Sequence, residues 1–115
     1  MEQQRLTQAE QAVLMWPILV SAARNQQITS YAAIEGFTGI DRMGQNQALG
    51  LIRSYCQRHN WPLLHCLVVS RVTGLPGEGL PEDMTATQVL LEQARIFVFD
   101  WSGHEKPLAE DLQSD

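Results

Sequence analysis

The chain has 115 residues, 44% of them hydrophobic and 18% charged, and a formal net charge of −5. That length suits one domain with a modest core of its own, and the apolar share excludes a disordered chain. The acid excess weighs against a general nucleic-acid binder. The longest apolar run, Ala12 to Val20, holds Pro17 and falls short of the roughly 18–20 residues of a membrane span.

Met1 to Arg5 is polar and has no apolar segment behind a basic one, so no signal peptide is expected. Cys56 and Cys66 are then read as reduced thiols, and the protein as cytoplasmic. Charge is unevenly placed. Between Arg42 and Gly77 stand Arg42, Arg53, Arg58 and Arg71 with no Asp or Glu, which leaves −9 for the remainder of a chain whose total is −5. A basic face for a polyanion, or for an acidic partner, is one account of that asymmetry; chance placement is the other.

In chain order, Thr7-Gln8-Ala9-Glu10 has capping-box form and predicts a helix with Ala9, Val13, Trp16 and Val20 along one face. Pro17 removes a backbone donor inside it, so a kink or two abutting helices are expected. Asn25-Gln26-Gln27 ends the element. Ile28-Thr29 reads as a short extended stretch, and Thr29 or Ser30 as the cap of a short helix from Tyr31 to about Glu35, stopped by Gly36. After a turn, a third helix is expected from Met43 or Gly44 to His59, with Ala48, Leu49, Ile52 and Cys56 inward.

Asn60-Trp61-Pro62 breaks that helix. Leu64 to Ser70 is a continuous apolar run and predicts a buried strand. Gly74 to Gly79 reads as a Gly/Pro loop. Thr85-Ala86-Thr87-Gln88 is a second capping box, opening a fourth helix through Arg95. Ile96 to Trp101 then reads as a strand pairing with Leu64–Ser70. The fold class expected is α+β, winged helix-turn-helix-like, with about four helices and a small antiparallel sheet. Residues 1–101 form the single domain in this reading, and residues 102–115 an acidic, flexible tail.

The middle of the chain resembles the DNA-binding domain of O6-alkylguanine-DNA alkyltransferases and alkyltransferase-like proteins. Ser30-Tyr31-Ala32-Ala33-Ile34 is similar to that family's Thr/Ser-Tyr-Gly-x-Ile, Gln47-Ala48-Leu49-Gly50 to its Arg-Ala-Val-Gly, and Val68-Val69 followed by Gly74 to its strand and wing. The match covers under half of the chain. The resemblance implies a winged-helix scaffold with DNA contact through Tyr31. It does not carry over the chemistry: the alkyl-accepting cysteine falls on His65, with Cys66 one residue later, and the base-flipping arginine falls on Gln47. Ala32 stands in place of the glycine after tyrosine, where the family's chain passes close to phosphate.

Tyr31, at a helix N-terminus, is a candidate phosphate donor, or else a half-buried ring packed on the third helix. Arg42, Gln45, Asn46, Gln47 and Arg53 are placed at or near the exposed side of that helix, where amides suit adenine edges and arginines suit phosphate or guanine. A solvated helix face is the plainer account of the same residues. Arg71 would contact the backbone beside the loop. Cys56, His59, His65 and Cys66 lack the spacing of zinc ligands, so no metal, cofactor or catalytic site is expected. Two partner classes follow. The first is a non-enzymatic protein that contacts nucleic acid through its third helix. The second is an acidic inhibitor or immunity protein that presents Glu78, Glu82 and Asp83 to a basic protein such as a nuclease. No membrane partner is expected.

Overall fold

The computed structural model describes residues 6–70, 84–104 and 106–112. Five helices and one two-stranded sheet make up the described fold: α1 (Gln8–Arg24), β1 (Thr29–Ser30), α2 (Tyr31–Thr38), α3 (Arg42–Arg58), β2 (Val68–Val69), α4 (Ala86–Val98) and α5 (Ala109–Leu112). Short 3-10 turns, Leu64–Leu67 and Trp101–Gly103, precede β2 and follow α4. The composition of mostly helix with a small sheet is α+β. No described helix is long and apolar enough to cross a membrane.

Both capping boxes form. The Thr7 hydroxyl accepts from the Glu10 N–H while Glu10 accepts from the Thr7 N–H, and Thr85 and Gln88 repeat the exchange at the start of α4. α1 runs through Pro17, which sits on the exposed side, while Ala12, Met15, Trp16, Leu19 and Ala23 are buried. The Ser30 hydroxyl caps α2 by accepting from the Ala33 N–H. α2 continues past Gly36 to Thr38 and stops at Gly39, whose φ of +76° is the left-handed conformation that suits glycine. Asp41 caps α3 by accepting from the Gly44 N–H.

The core lies where α1 crosses α3. Ala48, Leu49, Ile52 and Cys56 face α1, joined by Ile34 of α2 and by Leu64, Cys66 and Leu67 of the first 3-10 turn. At one end the aromatic rings interlock. Trp16 meets Tyr55 and Trp101 edge-on, with ring centroids 5.6 and 6.1 Å apart, and half-buried Trp61 lies between His59 and His104 at 4.5 and 4.4 Å. Such pairs add to what area burial alone supplies.

Three expectations are corrected. The strand over Leu64–Ser70 is instead a 3-10 turn followed by two strand residues, so His65 and Cys66 sit on a tight turn rather than on opposite faces of a strand. The sheet is parallel: β2 pairs with β1 in the register Thr29 to Val68 and Ser30 to Val69. The intended antiparallel partner is not a strand, because α4 continues through Ile96 to Val98. Ile96 shares the buried face with Val89 and Gln93, and its carbonyl accepts from the Trp101 indole at 2.9 Å. Tertiary packing overrides the β preference of Ile96-Phe97-Val98.

The expected tail is corrected too. Pro107 and Leu112 are buried, α5 packs on α1 and α3, and Arg58 donates to the Asp111 carbonyl at 2.7 Å. Apolar side chains at these spacings find cover against the helices, which holds this part of the chain to the domain.

Candidate functional site

α2, the turn at Gly39 and α3 meet at one corner of the fold, and most of the candidate residues gather on it. Gln45 is the exception in kind. It is fully buried, and its Nε2 donates to the Tyr31 carbonyl at 2.9 Å and to the Ile40 carbonyl at 2.8 Å. It therefore ties α3 to α2 and the turn, and does not face outward as the sequence reading had it. The reason is its phase: Gln45 falls on the same stripe as Leu49, Ile52 and Cys56, which is the buried side of α3.

Tyr31 is buried, with its hydroxyl donating to Asn46 Oδ1 at 2.9 Å. The guanidinium carbon of Arg42 lies 4.4 Å from the centre of the Tyr31 ring, a cation–π contact. Tyr31 thus joins the two helices through Asn46 and Arg42, and its phenol proton goes to Asn46. Asn46 and Gln47 are exposed, and Arg42 and Arg53 are half-buried along one edge of α3. Arg71, Glu78, Glu82 and Asp83 lie outside the described residues, as does the Gly74–Gly79 loop.

The outward face of α3 exposes Met43, Asn46, Gln47, Gly50, Ser54 and Gln57 and ends in Arg58, which donates to the Asp111 carbonyl; it holds no acid. Met43 is 71% exposed and Phe37, at the end of α2, 76%. A Cβ added at Gly50 would meet nothing within 4 Å, so the helix surface there is bare backbone. An open cavity of about 620 Å3 adjoins this face, with Gln8 and Gln11 of α1 and Asp41, Met43 and Gln47 on its walls. Met43 and Gly50 escaped the sequence reading, although their spacing from Gln47, one turn to either side, was there to be read.

The thiols sit elsewhere. Cys56 is fully buried, and burial pushes its pKa up to about 11, so it stays protonated and unreactive at neutral pH. Cys66 Sγ lies 3.9 Å from His65 Nε2, both residues being buried in the 3-10 turn. No cluster of three or more His, Cys, Asp or Glu with metal-binding proximity occurs among the described residues.

Comparison with protein-family models, with curated proteins and with solved structures gives no match to this chain.

Proposed function

We propose that this is a small, non-enzymatic binding protein of winged-helix type that contacts nucleic acid through α3. The observation that carries the reading is the outward face of α3: an acid-free strip of Met43, Asn46, Gln47, Gly50 and Ser54, with Arg42 and Arg53 three turns apart along one edge. From Arg42 to Ser70 the chain holds no acid, and Arg71 extends the same acid-free stretch in sequence. Arginines along that edge suit phosphates, and amides with a bare backbone beside them suit close approach to base edges. The corner of α2 and α3, stiffened by Gln45, Tyr31 and Arg42, presents this strip as a unit.

Fluorescence anisotropy with labelled DNA and RNA at low salt tests the reading. Binding should weaken steeply as salt rises, since phosphate contacts release counterions. Arg53→Ala combined with Arg71→Ala should lower both affinity and salt slope. Absence of binding at low salt, or binding indifferent to the double variant, overturns the proposal.

A further inference from the structure

We infer that Asn46 determines specificity at this interface, held by Tyr31 as a fixed hydrogen-bond donor that selects duplex base edges offering acceptors. The inference rests on the nucleic-acid reading of α3. Its geometry lies in one bond: the Tyr31 hydroxyl donates to Asn46 Oδ1 at 2.9 Å. The phenol itself is fixed by burial, by Arg42 stacked 4.4 Å from the ring centre, and by the grip of Gln45 on the Tyr31 carbonyl. With its oxygen turned onto Tyr31, the exposed Asn46 side chain leads with Nδ2, which has no partner among the described residues.

A freely rotating asparagine reads adenine through both ends of its amide, donating to N7 and accepting from N6. One held with its oxygen on Tyr31 presents its donor end outward. It therefore favours guanine N7 and O6 or thymine O4 in the major groove, or adenine N3 and thymine O2 in the minor groove. It meets an amino group donor against donor and leaves both unsatisfied. Tyr31 is then a positioning residue, acting through the orientation it imposes on Asn46.

The test is a competition panel of short duplexes varied one base pair at a time, read as affinity ratios between sequences. Two variants are compared with the wild type. Asn46→Asp keeps an oxygen for the Tyr31 hydroxyl and puts an acceptor where the NH2 group stood. Tyr31→Phe removes the hold and leaves Asn46 in place. The wild type should separate the best from the worst base at one position by about three- to tenfold. Asn46→Asp should erase or invert that ratio, and Tyr31→Phe should compress it toward one. Replacing guanine by inosine or by 7-deazaguanine at that position shows which groove supplies the acceptor. If Tyr31→Phe fails to fold, the exposed Asn46→Asp change decides alone. Binding that persists with an unchanged ratio in Asn46→Asp overturns the assignment and spares the interface. Absence of wild-type binding overturns the interface, and the assignment with it.

Discussion

The side chain of Gln45 donates to the carbonyl of Tyr31 at 2.9 Å, and the same nitrogen reaches the Ile40 carbonyl at 2.8 Å. One buried amide thus holds both the first residue of α2 and the turn before α3. Replacing it with leucine, of similar bulk, strands two carbonyls but also removes Gln45 Oε1, a buried acceptor with no hydrogen-bond partner. The effects oppose each other, so Gln45→Leu should cost about 1–3 kcal/mol rather than the sum of two lost bonds. Gln45→Glu should cost more, because it turns a carboxylate oxygen onto two carbonyls. Urea unfolding should show a lower midpoint with an unchanged slope for Gln45→Leu.

Where the deciding contact was local, the sequence was readable. Thr7 with Glu10 and Thr85 with Gln88 lie three residues apart, and both boxes formed as their spacing indicated. The exposure of Asn46 and Gln47 followed from the apolar phase of α3. Gln45 reads as a surface residue by its polarity, yet its position on the Leu49, Ile52 and Cys56 stripe buries it. At the end of α2, Gly36 and Gly39 were both eligible stops. The choice rests on Thr38, whose hydroxyl donates to the Ile34 carbonyl and accepts from the Ile40 N–H. Leu64–Ser70 and Ile96–Val98 are short apolar runs whose period does not separate strand from turn or helix. Their state is set by partners outside the run: Thr29 and Ser30, about forty residues away, for the first, and the Trp101 indole, five residues beyond Ile96, for the second.

Gly50→Ala separates folding from binding. The glycine is helical, exposed and at no special φ, and a Cβ there meets nothing within 4 Å. Alanine should therefore stabilise the fold by about 0.8–1 kcal/mol through helix propensity alone. A thermal melt should move up by roughly 3–8 °C for a domain of this size. If α3 lies against a groove, the added methyl should at the same time weaken binding by anisotropy. A rise in both stability and affinity would show that Gly50 is not at the contact.

Leu112→Ala tests whether the last turn belongs to the domain. Leu112 is 1% exposed, and the Asp111 carbonyl beside it accepts from Arg58. Truncating a buried leucine should cost about 2–3 kcal/mol, toward the low end of the usual range because α5 is short and peripheral. Unfolding should remain a single transition at a lower urea midpoint. An unchanged midpoint would mean that this turn adds nothing to the fold.

Cys56 makes stability fall at alkaline pH. Its pKa rises from the ordinary thiol value of 9.0 to about 11 in the folded protein, chiefly because burial disfavours the thiolate. The unfolded chain therefore releases a proton at lower pH than the folded one. This contribution to stability is fully present below pH 9.0 and is lost progressively as pH rises to about 11. The gap of about two units corresponds to roughly 2–3 kcal/mol. Tyr55 acts in the same direction, its pKa raised first by burial and then by Asp111, so the two must be separated. Cys56→Ala should lose packing at neutral pH yet show a shallower decline between pH 9 and 10.5, and the difference in slope is the contribution of the thiol. In the wild type, a thiol reagent at pH 7 should label Cys56 only as fast as the protein opens, with labelling accelerated in urea. An equally steep alkaline decline in Cys56→Ala would assign the loss to other groups.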